Sequence, residues 1–360
     1  MRAKSSWLLL LLLAGPLWAD EQDRPDVRPL RDFRGHRAPV KHLAFTPDGE
    51  QLVSSDATGR LYVWRVADGH LLRQIFPREK EVSADTITMV HQRETLAMAV
   101  HPRGKLVAES ATEPTLQSVV RLWEIDSGEC RRVLLDNQRQ PVRALAFTPD
   151  GRYLVCAQHD EGRWSQRIVF YDTRDYRPAF SLTAERLSAT GLVVSRDGKL
   201  LAACSPRRLY IWDIAQRELL HTIKAHEKVI ESIAFAPNGR MLVSGSRDDT
   251  VRVWNTRTGK QVLKIDAKQD GVLAVAFSPS GRTIASGGRN HTVKLWKPKS
   301  GKLRWRLWGH LKPVTCVAFS PDGQTLASGS RDTVVALWKN DEPADEKDEE
   351  DEEDKADWMD

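Results

Sequence analysis

The sequence predicts an all-β protein built from repeats, a β-propeller. Three observations carry this. A turn of the type Ser-Pro-Asp-Gly recurs seven times. An aromatic residue follows each turn, and the later aromatics are spaced about 42 residues apart. No window has a convincing helical apolar period.

The turns are Thr46-Pro47-Asp48-Gly49, His101-Pro102-Arg103-Gly104, Thr148-Pro149-Asp150-Gly151, Ser195-Arg196-Asp197-Gly198, Ala236-Pro237-Asn238-Gly239, Ser278-Pro279-Ser280-Gly281 and Ser320-Pro321-Asp322-Gly323. The aromatics are Trp64, Trp123, Tyr171, Trp212, Trp254, Trp296 and Trp338, the last five at intervals of 41, 42, 42 and 42. Each repeat reads as short β-branched strands separated by turns. In the last, Val314–Phe319, Thr325–Gly329 and Val334–Trp338 alternate with polar turns. Proline fixes φ at the first turn position, and glycine accepts φ > 0 at its end.

The ends of the chain differ from this body. Arg2 and Lys4 precede an apolar run, Trp7 to Ala14, then Gly15, Pro16 and the small residue Ala19. Residues 1–19 read as a secretory signal, since the run is too short to cross ~30 Å of hydrocarbon. An uncleaved N-terminal anchor is the alternative. The expected location is the bacterial periplasm or the extracellular space, and no later segment resembles a membrane span. Asn290-His291-Thr292 is a glycosylation sequon at a repeat turn, which argues against a glycan there.

At the other end, residues 341–360 carry thirteen carboxylates and two lysines, a charge of −11. They are expected to be a disordered acidic tail. With +2 on the first nineteen residues and +5 on the chain, residues 20–340 carry +14. A basic body favours an anionic partner, or contact with its own tail.

Other chemistry is unsupported. The four cysteines, at 130, 156, 204 and 316, form neither a disulfide scaffold nor a C-x-x-C pair. Cys156 and Cys204 read as small apolar packing groups, with a disulfide between them as the alternative. No H-E-x-x-H or other metal-ligand spacing occurs, nor a phosphate-binding G-x-x-x-x-G-K-[ST]. No cofactor and no metal are expected.

The run Gly309-His310, Val314, Val317-Ala318-Phe319-Ser320-Pro321-Asp322-Gly323, Leu326-Ala327-Ser328-Gly329-Ser330-Arg331-Asp332 and Leu337-Trp338 resembles the WD-repeat family. The resemblance covers about residues 27–340. Repeats 5 and 7 match best, repeats 2, 3 and 4 are degenerate, and only Trp212-Asp213 keeps the literal pair. It implies a seven-bladed ring of four-stranded blades. Repeat 7 ends after its third strand, so Val27–Phe33 is expected to supply the missing outer strand and cover the open edge.

His226, Ser244 and Asp248 recur as His310, Ser328 and Asp332 and look like two catalytic triads. The resemblance implies a structural role instead. With Trp254 and Trp338 they form one buried hydrogen-bond network per blade. Thr58 stands for the Asp in blade 1, Asn290 in blade 6, and Ala203 for the Ser in blade 4. Those blades are expected to rely more on apolar packing.

The resemblance also implies a partner-binding face, at the loops into the first strands and the turns between second and third strands. The position four before the conserved Phe is Lys41, Arg143, Glu231 and Thr315, and by spacing Leu96, Thr190 and Leu273. The position before the turn Asp is Arg247 and Arg331, with Arg289 before Asn290. Five cations thus ring one mouth, opposed mainly by Glu231; the plainer reading is a solvated basic rim. Turn-to-aromatic spacing rises from 14–15 residues to 19 and 20 in repeats 2 and 3. Extra residues around 110–118 and 159–166, and within 77–94, are expected to enlarge this face. Trp164 is either an aromatic anchor there or folded onto its own loop.

The expectation is therefore a monomeric, non-enzymatic scaffold, a propeller binding an acidic protein or peptide. A binder of anionic polymers (nucleic acid or acidic glycan) and a propeller-scaffold enzyme are the alternatives. The tail is expected either to shield the basic rim or merely to solubilise the chain.

Overall fold

A computed structural model describes residues 27–76, 94–112, 118–138, 141–159 and 166–342. Residues 1–19, most of the acidic tail and Trp164 lie outside the described residues. The described residues contain no helix and fold into seven four-stranded antiparallel sheets. Blades 1 to 6 are meanders over 40–75, 94–138, 145–183, 191–224, 230–266 and 272–307. Blade 7 takes three strands, Val314–Phe319, Thr325–Ser330 and Val334–Lys339, from the end of the chain and its outer strand, Arg31–Arg34, from the beginning. First strands of successive blades touch all the way round, blade 7 meeting blade 1, so the sheets close into a ring.

The recurring turn is stiffened from within. In four blades the leading hydroxyl donates to the turn Asp: Thr46 to Asp48 at 2.5 Å, Thr148 to Asp150 and Ser195 to Asp197 at 2.6 Å, Ser320 to Asp322 at 2.5 Å. The same Asp accepts an amide two residues on, and the following glycine sits at φ 71–74°. This is an Asx-turn with a left-handed residue that glycine accepts without strain. The Ser320 hydroxyl and the Gln324 amide hold the Asp322 carboxyl below its ordinary value.

The core lies between blades. Ala202, Leu209 and Ile211 of blade 4 pack on Ile230, Leu242 and Trp254 of blade 5. Val293 and Leu295 of blade 6 pack on Val314, Leu326 and Trp338 of blade 7. Close approach explains the glycine of each Ser-Gly second strand. A Cβ at Gly245 would stand 2.6 Å from Val272, and at Gly329 2.6 Å from Val40. Any side chain there would push neighbouring blades apart. Cys156 and Cys204 are free, buried thiols.

Closure follows the expectation with corrected bounds. The pairing strand is Arg31–Arg34, with Phe33 opposite Val335. Phe33 is fully buried and stacks on Trp64 at 5.5 Å, joining blade 7 to blade 1. Val27 does not extend this strand. It bridges Leu307 of blade 6, its carbonyl accepting the Trp308 amide at 3.2 Å. Pro29, which lacks a ladder N–H, separates the two pairings.

The lengthened turns of blades 2 and 3 are partly strand. Their ladders continue to Thr112↔Ser118 and His159↔Gln166, so some of the extra residues lengthen the hairpins. Residues 113–117, 160–165 and 77–93 lie outside the described set.

Every blade runs between an upper face, with the loops into first strands and the second-to-third turns, and a lower face with the remaining turns. Arg331 precedes the last strand at its upper end and Lys339 closes it at the lower end. Asn340 to Glu342, the last described residues, therefore lie at the lower face.

Candidate partner-binding face

Beneath the upper face, each complete network is built on a serine of the second strand. In blade 5, Ser244 Oγ lies 2.7 Å from His226 Nε2 and accepts Trp254 Nε1–H at 2.9 Å. His226 Nδ1 lies 2.9 Å from Asp248, whose other oxygen accepts the Thr250 hydroxyl at 2.6 Å. In blade 7, Ser328 joins His310 at 2.8 Å and Trp338 at 2.7 Å, and His310 joins Asp332 at 3.0 Å. Indole N–H only donates, so the serine accepts from Trp and gives its own proton to His Nε2. The neutral imidazole then donates from Nδ1 to the carboxylate.

This polarity matches that of a catalytic triad, but the serine is closed off. Ser244 and Ser328 are fully buried, and an indole N–H occupies one of the two lone pairs of each hydroxyl. Burial alone would raise the Asp248 carboxyl, but the Thr250 hydroxyl and His226 outweigh it and hold it at about 2. For Asp332 burial is likewise outweighed, chiefly by His310, again to about 2. Burial pushes the His226 imidazole below its ordinary value despite Asp248.

Of the three blades expected to rely more on apolar packing, blades 1 and 6 keep hydrogen-bonded networks, a correction, while blade 4 does rely on packing. Blade 1 keeps His36 on Ser54 at 2.7 Å and Trp64 on Ser54 at 2.8 Å. The nearest carboxylate, Asp56, two residues before Thr58, accepts the Thr58 hydroxyl at 2.6 Å and stands 3.6 Å from His36 Nδ1, beyond hydrogen-bond distance. In blade 6 a buried Gln269 replaces histidine and accepts the Ser286 hydroxyl at 2.6 Å, while Trp296 donates to Ser286 at 2.8 Å. In blade 2 the buried Glu109 accepts Trp123 Nε1–H at 3.0 Å. In blade 3 Gln158 donates to the Tyr171 hydroxyl at 2.8 Å. Blade 4, with the buried Ala203, has only a 3.4 Å bond from Trp212 to the Thr183 carbonyl. Gln269 was hidden because repeat spacing aligns Lys268, not Gln269, with the histidine.

The rim has its own backbone device. The ladder of first and second strands shifts register at Lys41, Leu96, Glu231, Leu273 and Thr315. Each is the unpaired residue of a β-bulge, a feature that bends the strand and re-aims one side chain. Arg143 and Thr190 lie just before the first strands of blades 3 and 4.

The side chains differ in what they are free to do. Arg247 is ion-paired to Glu231 of its own blade. Thr315 is tied down, donating to the Val40 carbonyl at 2.6 Å. Lys41 is half-buried. Arg143, Arg289 and Arg331 are exposed and have no acidic partner among the described residues. Gly271 lies between Arg289 and Arg247, and a Cβ there would be 3.2 Å from Arg289 Cδ and 3.5 Å from Arg247 Cα. On the rim, Arg247 is thus paired while Arg143, Arg289 and Arg331 are exposed. Among the described residues no three His, Cys, Asp or Glu side chains cluster as metal ligands, and no helix is long and apolar enough to cross a membrane.

A family profile described as WD domain, G-beta repeat matches residues 27–65, 128–171, 217–255, 259–297 and 301–339. The chain is 25% identical over 264 residues to the periodic tryptophan protein 2 homolog of Neurospora crassa, a match covering 62% of this chain and 27% of that protein. It is 28% identical to an uncharacterized WD repeat-containing protein of Synechocystis, over 53% of this chain and 52% of the other. It is 26% identical to mouse Striatin-4, over 64% and 30%. The chain therefore spans about half or less of the length of these three curated relatives. The repeat profile, the seven closed blades and the serine-centred networks lead to one conclusion: the chain belongs to the WD-repeat family.

Proposed function

We propose that this protein is a non-enzymatic interaction scaffold that takes an acidic protein or peptide on its upper face. WD-repeat propellers act in general as protein-interaction scaffolds. The observation that supports an acidic partner is the set of exposed arginines at that mouth, Arg143, Arg289 and Arg331, with no described carboxylate against them. A guanidinium fork matches a carboxylate in geometry and charge. Arg247 is held in place by Glu231, so it is pre-positioned while its charge is balanced. The non-enzymatic reading rests on Ser244 and Ser328, buried and blocked by tryptophan. Trp164 and the extra residues of blades 2 and 3 would add an aromatic anchor to the same face. Residues 1–19 would direct export to the periplasm or the extracellular space.

The test is titration of the full chain with a labelled Glu-rich peptide containing one Trp. Arg289→Ala with Arg331→Ala is expected to weaken binding by about 1–3 kcal/mol, roughly 5- to 150-fold, with the melting temperature unchanged. Equal affinity would place the site elsewhere. Binding that collapses steeply with salt and prefers heparin or DNA over the peptide would favour the polyanion reading. Sequencing the N-terminus of the exported protein decides whether residues 1–19 are removed.

A further inference from the structure

Blade 7 departs from its sister blades at one position of the upper face. The residue after the histidine or glutamine of each network is Arg37 in blade 1, Glu227 in blade 5, Asp270 in blade 6 and Leu311 in blade 7. All four are exposed, and three are charged. Leu311 is 80% exposed, more than any other large apolar side chain among the described residues. A single exposed leucine is ordinary on a protein surface, so its neighbours decide what it means.

Loop 308–313 runs from the outermost strand of blade 6, Leu303–Leu307, to the innermost strand of blade 7, Val314–Phe319. It crosses the upper face from the outside towards the mouth, and it carries a second exposed apolar side chain, Trp308. Lys312 on this loop and Arg331 on the adjoining turn 330–333 are exposed as well. The two segments hold one carboxylate, Asp332, whose side chain is 7% exposed and bound inward to His310. This end of blade 7 therefore shows solvent two cations and two apolar side chains.

The backbone holds this surface in place. The Leu311 amide donates at 2.8 Å to Asp332 Oδ2, the oxygen that also bonds His310 Nδ1. Two further bonds lace loop to turn without Asp332. The Ser330 hydroxyl donates to the Lys312 carbonyl at 2.9 Å, and the Arg331 amide to the Pro313 carbonyl at 3.0 Å. Leu311 and Arg331 thus sit on adjoining, mutually bonded segments, and little backbone ordering remains for binding to impose.

We propose that Leu311 and Arg331 form a two-part subsite for an acidic segment that carries a large apolar residue beside its carboxylate. The inference rests on the acidic-partner reading and adds which neighbour of the carboxylate is preferred. Arg331 takes the carboxylate. The apolar side chain lies over Leu311, towards Trp308. Apolar cover excludes water around the guanidinium–carboxylate pair and strengthens it, so the two contacts support each other. The same two slots hold Glu227 and the ion-paired Arg247 in blade 5, and Asp270 and Arg289 in blade 6. Among these blades the acidic–apolar pair fits blade 7 alone.

Two Glu-rich peptides of equal charge test this on the full chain, one with a single central leucine and one with serine there. The leucine peptide is expected to bind about five- to tenfold more tightly, the effect of partly burying one such side chain. Leu311→Ser is expected to erase that preference at unchanged melting temperature, and Leu311→Met to keep it. Arg331→Ala is expected to weaken both peptides several-fold. Equal affinity of the two peptides for the unaltered chain, or a preference that survives Leu311→Ser, would overturn the subsite while the acidic-partner reading stands. So would affinity for the leucine peptide that is indifferent to Arg331→Ala. A leucine peptide with glutamine for every glutamate that binds as tightly would reveal a plain apolar surface and overturn it too. If neither acidic peptide binds, the acidic-partner reading falls and the subsite with it.

Discussion

Blade 7 and blade 4 have the same four-stranded form and opposite interiors. In blade 7, Ser328 gathers His310, Trp338 and, through the histidine, Asp332. In blade 4 the serine is Ala203, the histidine position is empty of a bonding partner for Trp212, and the indole reaches a backbone carbonyl at 3.4 Å. Blade 4 compensates with apolar and aromatic packing. Tyr210 and Trp212 stack at 5.8 Å, over Leu187, Leu192 and Leu201. The difference teaches that the network is one of several ways to anchor the third-strand aromatic. Network and packing thus hold the same third-strand aromatic in different blades.

The largest expected effect tests how blade 7 is completed. Phe33→Ala removes a fully buried ring from the seam between blades 7 and 1 and is expected to cost about 3–5 kcal/mol. Deleting the chain through Arg34 also bares the edge of the third strand, and aggregation is expected. Thermal unfolding and light scattering read both, and a stable monomer lacking Arg31–Arg34 would break the account of closure.

Next come the networks themselves. Asp332→Ala is expected to destabilise by roughly 1–3 kcal/mol, because His310 Nδ1 and the Leu311 amide lose their acceptor. Gln269→Leu in blade 6 is expected to fall in the same range, leaving Ser286 and Trp296 short of a partner. Denaturant titration compares the two. A silent Gln269→Leu would support the expectation that blade 6 relies more on apolar packing.

Acid separates these blades by chemistry. Asp248 and Asp332 have folded values of about 2 against an ordinary 3.8, so their contribution is present above pH 3.8 and is lost as pH falls towards 2. His226, held below 6.5, adds a loss in the same direction as pH drops below its ordinary value. Replacing both aspartates by Asn is expected to flatten the acid limb of the stability curve, while Gln269→Leu leaves its shape unchanged. An unchanged acid limb in the double Asn variant would contradict the assignment.

Much of this architecture was legible because the chain repeats itself. The turn and the aromatic recur at fixed spacing, and where the repeats match best, in blades 5 and 7, the bonded residues are those the family resemblance implies. The signal failed where a role moved along the chain. Asp56 approaches the blade 1 histidine to 3.6 Å from two positions before Thr58, and Gln269 stands one position after the aligned Lys268. Side-chain length and local backbone decide such substitutions, and spacing does not record them. The rim was legible by position but not by state: nothing in the sequence showed that Arg247 is paired to Glu231 or that Thr315 is bonded across to blade 1. The tail's direction of exit needed the polarity of the last strand.

The smallest structural change gives the sharpest test. Arg331 and Asp332 are neighbours on one turn, yet one is assigned to partner binding and the other to holding the blade. Melting temperature and affinity for the Glu-rich peptide, measured on Arg331→Ala and Asp332→Ala, separate the two roles. The account predicts that Arg331→Ala weakens binding with stability changed by no more than about 0.5 kcal/mol. It predicts that Asp332→Ala lowers the melting temperature and leaves affinity intact in the folded fraction. If Asp332→Ala abolishes binding or an activity at unchanged stability, or Arg331→Ala destabilises the fold without touching affinity, the assignment of networks to structure and rim to function is contradicted.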